Sequence, residues 1–419
     1  MKKNLVYAAL LVSLLWLTGC DGNNGGNPPP PPAQVMITVS PKTADVHAGD
    51  TQQFTVKVTG TTDGTVDWFV CTATAACEMS GNATIGTINI SGLYAAPANV
   101  PNPSTVTVKA VSRADKTKSD TATVTILLRL PFLAYFRQGP AQSTACGGLC
   151  GDIWKVHLDA NGLPTDSPAQ LTNGPREGGS FGQNFMPSVS PDGAKIAFIS
   201  NRIGDNSIWV MNSDGSDEEQ VPNGTLWAFY PAWSPDGKKI AFVGKFANST
   251  VGIATMNADG SGVVQLTSDA SCPLGSGCVI PDRPTWSPDG KKIAYGKPDG
   301  TAVIINSADG TTIATLPISN SPGNLSWSPD GKWIALSITD DPNEPSKITL
   351  CLVHPDGTGL TKLTPSGFNP TWSPDNSRIV FQNRSDAKIY VIKTDGTGLA
   401  LVVGDSISIS GDPSWWGPR

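Results

Sequence analysis

The chain has 419 residues, more than one ordinary compact core absorbs, with 44 Gly, 35 Pro and only 15% charged residues. Beyond residue 20 no stretch holds a 3.6-residue apolar period long enough for a helix, so the composition points to a nearly all-β protein of more than one domain. A net charge of −6 without a Lys/Arg cluster excludes nucleic acid as a partner, because binders of a phosphate backbone carry a basic patch or stripe.

Residues 1–19 read as a secretory signal: Lys2 and Lys3, then an apolar run from Leu5 to Trp16, too short for a lasting transmembrane helix. Leu17-Thr18-Gly19-Cys20 resembles the lipobox of bacterial lipoproteins. That resemblance implies cleavage before Cys20 and diacylglyceryl modification of its thiol, hence a lipid-anchored, extracytoplasmic protein of the bacterial cell envelope; two or three acyl chains anchor stably where one does not. Residues 20–34 then form a tether, with the run Pro28 to Pro32 favouring an extended polyproline II rod.

Residues 35–127 alternate apolar and polar residues in short runs such as Val35 to Val39, Phe54 to Val58, Val66 to Val70, Thr105 to Val111 and Ala122 to Ile126. Period two with turn residues between predicts roughly seven half-buried antiparallel strands, which suits a β-sandwich. Val39-Ser40-Pro41, Ala48 to Phe54, Val66-Asp67-Trp68, Gly92 to Pro97 and the closing Thr-Val-Thr run resemble a group 2 bacterial immunoglobulin-like domain. That family implies a spacer or an adhesive module.

Residues 131–419 repeat. Pro-x-Trp-Ser-Pro-Asp-Gly stands at Trp233, Trp286 and, with Leu325 at the leading Pro position, Trp327; Trp372 has Asn376 for Gly, Val189 takes the Trp position in an earlier copy, and Trp415 belongs to a truncated last one. The intervals from Val189 to Trp415 are 44, 53, 41, 45 and 43 residues, the ~40–45 of a four-stranded propeller blade. In Ser-Pro-Asp-Gly, Pro presets φ, Asp tolerates the next position and Gly supplies positive φ, so the motif is a hairpin. Phe132 to Phe136 and Asp152 to Leu158 add one strand pair upstream, making six blades; this first blade lacks its Trp strand while the C-terminus ends in one, so the two fragments are expected to complete each other and close the ring. The repeats resemble the WD-like propeller repeats of TolB, a periplasmic protein whose propeller binds a lipoprotein at its channel. TolB carries an α/β domain and no lipid anchor, so this chain departs from the family on both counts and no Tol-system role is carried over. The expected fold is an all-β immunoglobulin-like β-sandwich followed by a six-bladed β-propeller.

Of eight Cys, six fall in close pairs, Cys71 with Cys77, Cys146 with Cys150 and Cys272 with Cys278. In an oxidising compartment three local disulfides are the natural choice among fifteen connectivities. Cys351, alone in an apolar strand, reads as a small buried hydrophobe. No Cys/His run has zinc-ligand spacing, and neither a metal nor a cofactor is expected. His157 and His354 share a repeat position occupied elsewhere by Asn212 and Asn257, which points to turn support. Gly178-Gly179-Ser180-Phe181-Gly182 matches a nucleophile-elbow pattern but has neither the strand-to-helix context nor a His partner. Asp340, Asp341, Asn343 and Glu344 read as a solvated loop, without EF-hand spacing.

The variable positions are more informative. The residue before the inner strand's Pro, or its equivalent, changes from blade to blade: Met186, Tyr230, Arg283, Asn324, Asn369 and Asp412, preceded by Phe185, Phe229, Asp282, Gly323, Phe368 and Gly411. These positions ring one mouth of the channel, where aromatics and Arg suit a binding hot spot or pack between blades. The expected binding set is Tyr230, Arg283, Asn324, Asn369 and Asp412 with Phe185, Phe229 and Phe368. The sequence therefore reads as a monomeric, non-enzymatic, membrane-anchored binding or scaffold protein that recognises a protein or peptide of the envelope. The alternatives are a polysaccharide- or peptidoglycan-acting lyase or hydrolase using channel carboxylates, and an adhesin using the immunoglobulin-like domain.

Overall fold

The computed structural model describes residues 34–72, 76–128, 130–138, 151–173, 182–271, 280–318, 323–340, 344, 347–404 and 410–417. The signal segment, Cys20, nearly all of the tether, Cys146, Cys150, Cys272, Cys278, Gly178 to Phe181, Asp341 and Asn343 lie outside the described residues. Every regular element among the described residues is a strand, and the chain divides into two units at Leu127/Leu128.

In the first unit a five-stranded sheet runs in the order Thr43–His47, Ser119–Leu127, Thr105–Ser112, Val66–Thr72, Cys77–Met79. Met36–Ser40 pairs with Thr55–Thr59, and Thr51–Gln53, Leu93–Ala95, Gly86–Ile88 and Gly81–Asn82 form a further sheet. The alternation of Thr105–Ser112 translates directly into alternating burial: Val106, Val108 and Ala110 enter one core with Val39, Phe54, Trp68, Tyr94, Val124 and Ile126. Tyr94 is fully buried yet satisfied, its hydroxyl donating to Ile85 O at 2.7 Å. Two features depart from expectation. Eleven strands among the described residues replace about seven, because elements of two or three residues such as Gly81–Asn82 are too short to show a period. One pair is parallel: the chain changes sheets between Met36–Ser40 and Thr43–His47, and the latter joins the final strand Ser119–Leu127 in the same direction. Cys71 and Cys77 face each other across paired strands, 3.9 Å apart at Cα, and are disulfide-bonded.

The described residues of the second unit form six antiparallel sheets, each with a four-strand path. Ser410–Trp416, Phe132–Gln138, Gly151–His157 and Ala169–Gln170 make blade 1, so the last strand of the chain completes the first sheet, with Trp415 opposite Leu133 and Trp416 opposite Phe132. Blades 2 to 6 are contiguous in sequence and begin with the inner strands Asn184–Val189, Trp227–Trp233, Thr285–Trp286, Gly323–Trp327 and Gly367–Trp372. Each inner strand contacts the next, and Ser410–Trp416 contacts Asn184–Val189, which closes the ring. The second strands are buried on both faces, as in Lys195–Ser200 and Lys239–Lys245, because each blade is covered by its two neighbours. This is why they read as continuous apolar runs rather than alternating ones.

The Ser-Pro-Asp-Gly hairpin is held by one repeated set of bonds. In blade 2, Ser190 Oγ donates to Asp192 Oδ1 at 2.6 Å and accepts the Lys195 N–H at 2.9 Å, while the Ala194 N–H reaches the same carboxylate oxygen. Gly193 and Gly237 have φ of 69°, and Asn376 takes 64° at the position where Gly is replaced, a region Asn tolerates better than most residues. Trp416, which the repeat does not predict, seals the seam of the ring: its indole N–H donates to Pro191 O at 2.8 Å and its ring lies where a Cβ on Gly193 would clash.

Cys351 is a free, buried cysteine whose thiol burial pushes up to about 11. His354 supports its turn as well as the preceding hairpin, with Nδ1 2.9 Å from Lys332 O and its ring stacked on Trp333. His157 Nδ1 contacts Asp166 Oδ2 at 2.5 Å. Asp340 is tied to Lys362 at 2.6 Å and to Thr349, and no group of His, Cys, Asp or Glu suited to hold a metal occurs among the described residues.

Candidate functional site

The variable positions sit on an irregularity of the inner strands. In blades 2, 3, 5 and 6 the pairing register skips two residues, Met186-Pro187, Tyr230-Pro231, Asn324-Leu325 and Asn369-Pro370, and blade 1 does the same at Asp412-Pro413. The first residue of each skipped pair has a left-handed backbone: φ is 55° at Met186, 53° at Tyr230, 50° at Asn324, 53° at Asn369 and 50° at Asp412. A bulge of this kind bends the strand and re-aims one side chain. Asn and Asp enter the left-handed region at modest cost, whereas for Met and Tyr it is a genuine strain of about 1–2 kcal/mol. Arg283 holds the equivalent position in blade 4 but lies outside the inner strand Thr285–Trp286 and is not left-handed.

The re-aimed side chains form a network. Arg283 Nη2 donates to Asp412 Oδ1 at 2.8 Å, and Asn369 Nδ2 donates to the same oxygen at 3.0 Å and to Gln382 Oε1 at 3.2 Å. Blades 4 and 1 are three steps apart in a ring of six, so the Arg283–Asp412 pair spans the channel mouth. The guanidinium carbon lies 5.8 Å from the Tyr230 ring centroid. Asp282, absent from the expected set, is fixed by two backbone donors: the Arg283 N–H at 2.7 Å and, from the next blade, the Asn324 N–H at 2.6 Å.

Around this network the expected residues sort into three groups. Tyr230, Arg283, Asn369 and Asp412 come together directly, and Asn324 joins through Asp282. Phe185 and Phe229 form an aromatic row with Trp227 and Tyr230, with centroid separations of 6.3 Å for Phe185–Phe229, 5.2 Å for Trp227–Phe229 and 6.2 Å for Phe229–Tyr230. Phe368 pairs across its sheet with Gln382 and takes no part in that row. Asp282 and Gln382 were not legible because their partners lie in other blades or on another strand. The chemistry of one position also needs correction: the variety of residue types there is bounded by the fold, since five of the six must accept positive φ.

Electrostatics follow from the burial. Desolvation pushes the Asp412 carboxyl above the usual carboxylate range, the Arg283 guanidinium pulls it back, and Asp282 adds a smaller upward push. Burial together with the Asp282 charge pushes the Tyr230 phenol up to about 12, so it is a protonated donor at neutral pH. Behind the network the channel holds a cavity of about 110 Å³, lined by the inner-strand prolines and a layer of hydroxyls. The opposite mouth, about 230 Å³, is lined by the Trp-Ser-Pro segments of the hairpins.

No family model matches the chain. An uncharacterized protein of Agrobacterium fabrum is 33% identical over 151 residues, 34% of this chain and 46% of that protein, so the chain spans about half the length of the curated relative it matches. Among solved structures, TolB from Acinetobacter baumannii superposes with a TM-score of 0.54 at 20% identity, covering 74% of this chain and 79% of that one. Hydrazine synthase from Kuenenia stuttgartiensis does so at 0.51 and 16% identity, covering 70% and 48%. These likenesses are to the fold: the second unit is a TolB-like β-propeller.

Proposed function

We propose that this is a lipid-anchored, extracytoplasmic binding protein of the bacterial envelope, working as a monomer without catalysis, whose propeller recognises a protein or peptide at the mouth spanned by Arg283 and Asp412. The observation that carries the reading is the strained presentation of Tyr230 and Met186 on bulges at that mouth. Strain of this kind persists where the surroundings over-determine it and clusters at ligand sites. An aromatic and an Arg in one partly desolvated cluster are the residues that dominate binding energy elsewhere. In this reading the first unit is an immunoglobulin-like spacer, and the tether behind Cys20 sets its distance from the membrane.

Capture of envelope proteins by crosslinking, compared between wild type and Tyr230→Ala, tests the site. Loss of an aromatic anchor worth ~2 kcal/mol or more lowers recovery of the partner at least about tenfold. Normal recovery with Tyr230→Ala, together with loss on substitution in the first unit, would reduce the propeller to a scaffold. The anchor is tested separately: Cys20→Ala is expected to yield a soluble or uncleaved product, and a membrane-bound variant with a normally cleaved N-terminus contradicts it.

One observation favours the enzymatic alternative, the raised carboxyl of Asp412 beside a second carboxylate, Asp282. Against it, both Asp282 oxygens hold backbone N–H groups, so the second carboxylate is spent on positioning, and Asp412 Oδ1 already accepts two hydrogen bonds. Degradation of a peptidoglycan or polysaccharide panel that Asp412→Asn abolishes would reverse this conclusion.

A further inference from the structure

The hydrogen-bonding capacity of the channel lining is unevenly spent. Each inner strand presents its free edge to the axis, and the fold uses up acceptors there. Ser188 O, Ala232 O and Ser326 O each take the indole N–H of the next blade's Trp, at 3.1, 3.0 and 2.9 Å from Trp233, Trp286 and Trp372. Hydroxyl oxygens take backbone N–H groups in the same sense around the ring: Val189 to Ser414 at 3.0 Å, Trp233 to Ser188 at 3.4 Å, Trp327 to Thr285 at 3.1 Å and Trp415 to Thr371 at 3.5 Å.

A hydroxyl that accepts still has its own proton to give. Among the described residues none of Ser188, Thr285, Ser326, Thr371 and Ser414 donates a hydrogen bond, and all five line the same 110 Å³ cavity. Above them several donor groups are likewise uncommitted. The Tyr230 hydroxyl and the Asn324 amide make no hydrogen bond among the described residues, and one Arg283 nitrogen makes one bond to Asp412. The cavity is several times the roughly 10–15 Å³ a water needs, room for a group of a few heavy atoms.

From these uncommitted donors we infer that the channel behind Arg283 is a receptor for one carboxylate group, which enters beside Tyr230 and takes O–H bonds from Tyr230 and the hydroxyl ring and N–H bonds from the guanidinium nitrogens that are not bonded to Asp412. The inference rests on the same mouth proposed above as the partner site and names the chemistry of the group that enters it. A carboxylate suits the geometry because Arg283 already holds one there, that of Asp412. The protonated phenol of Tyr230 strengthens the case, since it can donate but has no charge to repel an anion.

The test uses the full chain and titration calorimetry with N-acetyl-trialanine as the free acid, the same peptide as its carboxamide, and sodium acetate. Two variants remove a donor while leaving the ring bonds intact: Tyr230→Phe, and Ser326→Ala, whose hydroxyl accepts none of the ring's N–H groups. The free acid is expected to bind at least about tenfold more tightly than the carboxamide, and each variant to lose about fivefold or more with an unchanged melting temperature. Acetate binding as tightly as the free acid assigns the site to free small carboxylates; acetate about tenfold weaker assigns it to a peptide terminus. Equal affinity for acid and amide, undiminished binding by both variants, or no heat from the acid at about 10 mM overturns the inference. If carboxylates bind but partner capture is indifferent to Tyr230→Ala, the partner-site reading fails instead; if capture depends on Tyr230 but the free acid does not bind, only the carboxylate assignment fails.

Discussion

Removing Asp412 to Arg419 is expected to cost the propeller more than any single substitution, with a fall in melting temperature on the order of 10 °C or loss of a cooperative transition altogether. Three effects add. Blade 1 loses its inner strand, leaving Phe132, Leu133 and Ala134, now fully buried, beside an open edge. Trp415 and Trp416 leave the core, at ~3–5 kcal/mol for each large aromatic removed. The circumferential bonds from Val189 to Ser414 and from Trp416 to Pro191, which tie the two ends of the ring, disappear. For a unit of this size a kilocalorie moves the melting temperature by roughly 2–4 °C, so even half of the summed loss gives the expected shift. Circular dichroism melting of the truncated and intact chains decides it. An unchanged melting temperature contradicts the strand assignment.

Arg283→Ala is expected to destabilise the fold as well as the site. The pair it forms with Asp412 is largely enclosed, with side-chain exposures of 16% and 18%. Truncating one partner of a buried pair costs ~3–5 kcal/mol because the other charge is stranded; with residual solvent access we expect about 2–3 kcal/mol and a melting temperature lower by on the order of 5 °C. The pH dependence has a definite sign. The groups around Asp412 are Arg283, Asp282, Asn369 and Tyr230; burial and Asp282 raise its carboxyl while Arg283 lowers it. Without Arg283 the folded-state value rises further above the unfolded one, so the folded state binds the extra proton and stability falls as pH rises through that interval. The deficit relative to wild type is therefore smallest near pH 4 and grows until Asp412 is ionised. Arg283→Ala/Asp412→Asn, which removes the stranded charge, is expected to recover most of the loss at pH 7. A single variant that melts like wild type at pH 7 would show that the pair is screened by solvent. For the same reason Arg283→Ala is a poor probe of binding, and Tyr230→Phe is the better one.

Much of the candidate site was legible as positions but not as chemistry. The six residues before the inner-strand Pro, or its equivalent, stand out because they vary where the rest of the repeat does not. Nothing in their identities shows that Tyr230 and Met186 carry left-handed backbones, since both types are uncommon there. Phe368 has the same sequence credentials as Phe185 and Phe229, yet it pairs with Gln382 away from their row, because the blades on either side carry Gly323 and Gly411 at the matching position, so no ring stands there to extend a row. Asp282 was visible only as the predecessor of Arg283; its role depends on the Asn324 N–H, 42 residues later.

What the sequence determines by itself is whatever the backbone chemistry of a few neighbouring residues dictates. Ser-Pro-Asp-Gly folds its own hairpin through Ser and Asp side chains two to five residues from their partners, so its recurrence counts the blades, and a strand missing at one end of the array matches a strand left over at the other. Tertiary structure decides everything that crosses the axis. Arg283 and Asp412 are separated by 129 residues and by half the ring, and Val189 and Ser414 by 225. No local pattern encodes such a pairing, because closure of the ring alone brings those blades within reach, and only then is it settled which acceptors the fold consumes and which donors it leaves facing the channel.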